Sequence, residues 1–220
     1  MRPLVLFGTG DLADLLRVRM DRETPGRVAA FTADGDRVKA KTHEGIPIIP
    51  FGELGRVHPP GSIEVLVAIG YSGVNRFRVE KCREVVKAGY SLGSYISPKA
   101  VLSPDAVLGA NAVLLENAVV EPFVRLGDSA VVWGNAFVGH HSELGEGVFV
   151  GPSAVICGRV TVASRAFLGA GCVVRDRVRV GTASVVGAGA VILRDVPDGA
   201  VWGSEPAREI PVKSESVEDI

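Results

Sequence analysis

The chain has 220 residues, with 24 Lys and Arg against 25 Asp and Glu, so its formal net charge is −1. That balance argues against a nucleic-acid partner, which calls for a basic surplus, and 47% apolar against 22% charged residues excludes a disordered chain. Three cysteines (Cys82, Cys157, Cys172) are too sparse for a disulfide framework, and the sequence offers no run of about 18 apolar residues to insert into a bilayer; a cytoplasmic location is the expectation.

In chain order, residues 4–7 read as a buried strand and 11–22 as a helix. Residues 27–32 form a second strand that ends at Asp34, 63–69 a third, and 74–88 a helix closed by Gly89. Strands alternating with helices predict a small parallel, Rossmann-like α/β domain over residues 1–90. Gly8-x-Gly10-x-x-Ala13 after the first strand, with Asp34 after the second, matches the G-x-G-x-x-G/A pattern of nucleotide sites. Glycines there let the backbone approach a pyrophosphate, and the following helix N-terminus favours its charge. Asp34 is then placed to accept hydrogen bonds from a ribose. Taken literally the pattern predicts NAD, but ninety residues supply half of a doubly wound fold, so one nucleotide diphosphate is expected. A purely structural tight turn is the alternative.

Valine occurs 36 times and glycine 27 times, against two methionines, a bias toward strands with tight corners. Stepping by six from Ile96 to Ile192 meets Ile, Leu or Val at all seventeen positions. Four residues after each comes a small residue, from Ala100 to Val196, and glycine directly follows the aliphatic at 109, 127, 139, 145, 151, 169, 181 and 187. A period of six fits neither a helix nor a plain alternation. It fits a parallel β-helix over residues 91–204, three hexads closing each triangular coil, about six coils without an inserted loop. Residues 205–220 read as a cap and tail. The small residue and the next aliphatic point inward and the residue between them outward. That outward column is mostly apolar and includes Phe137, Phe149 and Phe167, with Trp133 also outside, which predicts contacts between copies of the chain.

Of four histidines, His140 and His141 stand together at the third and fourth places of one hexad, outside the prism near a corner. Paired imidazoles in a groove beside an oligomer contact suit proton transfer near neutral pH; surface histidines without a role are the plain alternative. The repeat has no third histidine and Cys172 falls in an inward column, so neither a metal nor a cysteine nucleophile is expected.

The hexads, the Gly139-His140-His141-Ser142-x-Leu144-Gly145 segment, the Gly-x-Gly loop and Trp202-Gly-Ser-Glu-Pro-Ala-Arg208 together resemble the bacterial nucleotide-sugar acetyltransferases of the left-handed β-helix family. That group includes sialic acid O-acetyltransferases and N-acetyltransferases of 4-amino sugars. The resemblance spans about residues 3–210, and Tyr71, Asn75 and Arg78 match a Y-x-x-x-N-x-x-R pattern found in part of the family. It implies a homotrimer with acetyl-CoA as co-substrate in grooves between neighbouring prisms. It further implies catalysis at His140 and His141, with His140 as general base. Phe149 would line the CoA channel, Gly158 would contact the thioester arm, and Arg208 would meet a phosphate. Gly8, Thr9, Gly10, Asp34, Tyr71, Asn75 and Arg78 would hold the nucleotide sugar. The family base is often followed by Glu; His141 stands there instead, so Glu143, Glu146 or a neighbouring subunit is expected to hold the His140 ring. The expected reaction is acetyl transfer to the amino group of a nucleotide-linked 4-amino-dideoxy sugar. O-acetylation of a sialic acid or other sugar hydroxyl, or a non-catalytic nucleotide-binding module, are the alternatives.

Overall fold

The computed structural model describes residues 2–206. Its first part is a six-stranded sheet of β1 (Leu4–Phe7), β2 (Val28–Ala33), β3 (Thr42–His43), β4 (Ile46–Pro50), β5 (Glu64–Val67) and β6 (Ser91–Leu92), in the order β3-β4-β2-β1-β5-β6. Only β3 and β4 pair antiparallel; the other pairings are parallel. Helix α1 (Asp11–Glu23) buries Leu12, Ala13, Leu16 and Met20, a stripe at helical spacing. A short α2 (Leu54–Val57) follows β4, and α3 (Arg76–Lys87) precedes β6.

The β3–β4 hairpin lies outside the elements that the sequence predicts. Pro47 and Pro50 lie in β4, and proline in a short run argues against a strand. The hairpin forms because Glu44 and Gly45 both take positive φ (50° and 78°), as a two-residue hairpin turn requires.

From Tyr95 onward the chain winds as a parallel β-helix. Residues eighteen apart stack in register, Val113 on Val131 and Val131 on Phe149. Small and aliphatic columns fill one continuous interior, with Ala136, Val138, Ala154 and Ile156 fully buried. Where serine takes a small place its hydroxyl is bonded: Ser142 to the Cys157 carbonyl and Ser184 to the Gly181 carbonyl. Every sixth residue from Asn111 to Gly189 turns the corner with positive φ. The glycine two places earlier serves another need, close approach: a Cβ on Gly127 would lie 2.7 Å from Glu146 N and Gly145 C in the next coil. The last coil is shorter, since Val185 pairs with Val201 and Val180 with Val196, sixteen residues on.

The prism has three unlike faces. Tyr95, Val113, Val131, Phe149 and Phe167 point outward from the seven-stranded face, and they pack with Leu4, Leu6, Leu16 and Phe31 of the α/β region. This corrects the expectation for Phe149, Phe167 and Trp133: the partner that covers them is the chain's own first region. The six-stranded face presents Val101, Val119, Phe137, Val155, Val173 and Val191 and is covered by no other part of the described residues, with Val101 59% and Val191 60% exposed. The third face carries Val107, Arg125, Glu143, Thr161 and Arg179.

Polar ties fix the two parts together. Asn111 bonds both backbone groups of Val67, accepting from its N–H at 2.7 Å and donating to its carbonyl at 3.2 Å, as a neighbouring strand would. Arg19 pairs with Glu116, and Tyr95 Oη donates to Glu23 at 2.7 Å. No helix among the described residues is long and apolar enough to cross a membrane.

Candidate active site

His140 and His141 form the corner between the Phe137–Val138 and Glu143–Leu144 strands, the edge where the uncovered apolar face meets the polar one. His141 is the left-handed corner residue (φ 60°), and its N–H donates to the Pro122 carbonyl at 3.1 Å. The His140 N–H donates to Glu121 Oε2 at 2.9 Å, and its carbonyl accepts from Arg159 N–H at 2.9 Å. Both side chains are exposed.

The His140 imidazole lies against Gly158 on the next coil; a Cβ there would come 2.8 Å from both Cε1 and Nε2. The Gly158 N–H has no hydrogen-bond partner among the described residues. A donor without a partner beside an imidazole nitrogen is a usable arrangement for acyl transfer, one group taking a proton and the other facing an oxyanion. The expected carboxylate support is different from that found. Glu146 pairs with Arg83 at 2.7 Å, Glu143 makes no bond to His140, and the partner of His140 Nδ1 is His141 Nδ1 at 3.1 Å.

A second cleft, of about 1190 Å³, opens outside the C-terminal ends of β1, β2 and β5. Gly8, Thr9, Gly10, Asp34 and Tyr71 line it, as the sequence predicted together. Gly8 needs its glycine: its φ is +122°, and a Cβ would meet the Ala68 carbonyl at 3.0 Å. Asp34 is bonded to Lys81 Nζ at 2.8 Å, and Lys81 also holds Glu84. Burial pulls the Lys81 ammonium down, but those two carboxylates outweigh it and raise its pKa. Arg37 adds a cation to the rim and Asp11 an anion. On the prism side Trp133, Phe149, Phe167, Gly151, Pro152 and Ala170 complete the wall, and Tyr71 packs edge-on to Phe149 at 5.4 Å. Phe149, expected to line a CoA channel, lines this cleft; within one chain it and Gly158 lie on opposite sides of the prism, since Phe149 points from the covered face.

Asn75 and Arg78, expected to hold substrate, are fully buried and line neither cleft. Arg78 donates to the carbonyls of Gly70 (3.0 Å), Ser129 (3.1 Å) and Gly147 (2.8 Å). Burial lowers its pKa to about 10, which leaves it a cation at neutral pH. Asn75 Nδ2 donates to the Arg165 carbonyl at 3.0 Å. The pattern ties the loop that carries Tyr71 to the coils, a role that spacing alone does not distinguish from ligand contact. Arg208 lies outside the described residues. Burial pushes the Cys82 and Cys172 thiols up to about 11, so neither is a thiolate near neutral pH. No cluster of three or more metal-ligating side chains occurs among the described residues.

Residues 141–176 match the bacterial transferase hexapeptide family (six repeats), and no curated protein matches by sequence. Among solved structures, a histidine-to-asparagine variant of perosamine N-acetyltransferase from Caulobacter crescentus, in complex with CoA and GDP-perosamine, is 31% identical over 94% of this chain and 96% of that one, with a TM-score of 0.83. This chain belongs to the bacterial nucleotide-sugar acetyltransferases. The acetyltransferase domain of PglB from Neisseria gonorrhoeae, in complex with acetyl coenzyme A, is 28% identical over 95% and 99% of the two chains (TM-score 0.81). WeeI from Acinetobacter baumannii, 21% identical over 94% and 99%, shares the fold at a TM-score of 0.81.

In this nucleotide-sugar acetyltransferase the His140 edge also carries a cationic ladder that the sequence reading missed. On the coils after His140 the same corner presents Arg159, then Arg175, Asp176 and Arg177, then Arg194 and Asp195, all exposed, so cations outnumber anions four to two. With about 4.8 Å per coil they lie roughly 5 to 15 Å beyond the imidazole. Stepping by eighteen from each of residues 139, 140 and 141 reaches Arg175, Arg194, and Arg159 with Arg177.

Proposed function

We propose that this enzyme transfers the acetyl group of acetyl-CoA to the amino group of a nucleotide-linked sugar, as a homotrimer with His140 as general base. The observation that carries the reading is the packing of the His140 imidazole against Gly158, whose N–H has no hydrogen-bond partner among the described residues, at one edge of the uncovered apolar face. The nucleotide-sized cleft opens at the other edge of that face, beside Trp133, Gly151 and Ala170. One chain keeps the two halves apart, and a neighbour packed on the apolar face brings its cleft to this chain's histidine. A left-handed coil and a trimer around this face follow from the family resemblance and account for an outward apolar column that the described residues leave without a covering layer.

The α/β region reads as one Rossmann-like half, its ligand crevice outside the strand ends where β2 and β5 flank β1 on opposite sides. Gly8, Thr9 and Gly10 approach the pyrophosphate of the sugar nucleotide, with Asp34 and Lys81 beside the nucleoside. Acetyl-CoA lies along the His140 edge, its phosphates toward Arg159, Arg175, Arg177 and Arg194. As the sugar nitrogen attacks the thioester carbonyl, His140 Nε2 takes its proton, the Gly158 N–H donates to the oxyanion, and the departing thiolate collects the proton from His140. Holding both substrates across one boundary supplies much of the rate.

Turnover of acetyl-CoA with 4-amino sugars carried on GDP, UDP, dTDP and CMP tests this. One nucleotide series is acetylated on nitrogen, and His140→Ala loses about 10²-fold or more while remaining folded. Unchanged kcat/KM in that variant removes the base; acetylation of free sugar hydroxyls alone removes the substrate class.

A further inference from the structure

The two imidazoles meet nitrogen to nitrogen, His140 Nδ1 at 3.1 Å from His141 Nδ1, with the rings at 90°. Such a contact holds one proton, because two facing N–H groups repel and so do two facing lone pairs. We infer that His141 is a positioning residue that accepts the Nδ1 proton of His140 and thereby keeps His140 Nε2, the nitrogen beside Gly158, free to take a proton. This rests on the reading of His140 as general base.

His141 is held for the task. Its backbone is the left-handed corner (φ 60°) with its N–H on the Pro122 carbonyl, and its ring packs on Phe123 with centroids 4.7 Å apart. It lines a cleft of about 290 Å³ with Asp105, Arg125 and Glu143. Two carboxylates against one guanidinium favour a proton on His141 Nε2, which leaves its Nδ1 as acceptor. Among the described residues the one carboxylate bonded to His140, that of Glu121, is occupied by the backbone N–H, and Arg159 bonds His140 only through its own backbone N–H, on the His140 carbonyl. No carboxylate among the described residues contacts an imidazole nitrogen of His140. When Nε2 takes the proton from the attacking nitrogen, His140 becomes an imidazolium that still donates Nδ1–H to His141, and it returns the Nε2 proton to the departing thiolate. The pair neither gains nor loses a proton over the cycle.

A neutral acceptor stabilises that imidazolium less than a carboxylate does, so the charge at position 141 sets where the pH profile rises. His141→Asn and His141→Asp test this, since both side chains tolerate a left-handed corner and present an acceptor oxygen differing only in charge. The ascending limb of kcat/KM moves up by about one pH unit in His141→Asp relative to His141→Asn. His141→Ala, with no acceptor, loses about tenfold or more in kcat at unchanged KM for both substrates, and His141→Asn restores it to within about threefold. Superimposable Asn and Asp profiles, or wild-type kcat in His141→Ala, overturn the inference. If His140→Ala is inactive in the same assays, only the role of His141 has failed; if it turns over normally, the base reading has failed first.

Discussion

The His140 imidazole rests on Gly158 one coil away, with no room for a Cβ between them: that atom would lie 2.8 Å from Cε1 and Nε2. Gly158 has no positive φ, so its backbone accepts any residue, and the group in the way is the far end of an exposed side chain. Gly158→Ala is therefore expected to push the ring aside at little cost in stability. A displacement of about 1 Å at a reacting group costs up to about 10²-fold, so kcat falls by about 10- to 100-fold while the melting temperature stays within a few degrees. Wild-type kcat in a folded Gly158→Ala variant would show that the ring position is immaterial.

Gly127→Ala separates the two uses of corner glycine. Its Cβ would strike Glu146 N and Gly145 C, both at 2.7 Å, and both are backbone inside the hydrogen-bonded stack. Nothing can swing away. Overpacking of this kind costs about 2 kcal/mol or more, so urea unfolding is expected to shift markedly, and the chemistry at the intact His140 edge to change little in the protein that remains folded.

The hexads were legible because each place in them answers a steric demand: a small residue where the coil closes, an aliphatic to fill it, glycine where one coil presses on the next. The faces are harder to see, since a step of six passes through all three of them in turn. Sorted every eighteenth residue the outward column separates into Tyr95, Val113, Val131 and Phe149, which the α/β region covers, then Val101, Val119, Phe137 and Val155, which no other described part of the chain covers, and Val107, Arg125 and Glu143, largely polar. The Gly-x-Gly loop and Asp34 reached the cleft as expected because strand ends fix them. Arg78 did not, because a buried guanidinium serving four backbone carbonyls has the same sequence signature as one serving a phosphate.

Arg19 and Glu116 join α1 to the coils, with side chains 24% and 29% exposed. Burial pushes the Glu116 carboxyl up, but the Arg19 guanidinium and a backbone hydrogen bond outweigh it, and its pKa is lowered. A carboxylate lowered by folding adds stability above its unfolded value, near 4.3, that is lost as pH falls through the folded value. Arg19→Met is thus expected to be about 0.5–1 kcal/mol less stable at pH 7, with the deficit shrinking below about pH 4. Unfolding curves at pH 7 and pH 3 read the difference; an equal deficit at both would assign it to packing of the Arg19 stem instead.

Val155 stands at the centre of the uncovered face, stacked between Phe137 and Val173, and its side chain points away from the interior that Ile156 fills. A carboxylate there leaves the prism intact but must be desolvated if another copy packs on it, at a cost of several kcal/mol. Sedimentation is therefore expected to show a trimer for the wild type and a folded monomer for Val155→Glu, while Thr161→Glu on the polar face stays trimeric. Because His140 and the cleft proposed for the sugar nucleotide flank this face on opposite edges, the monomer should still bind the sugar nucleotide yet lose turnover. A Val155→Glu variant that remains trimeric and active would move the subunit contact, and with it the shared active site, to another face.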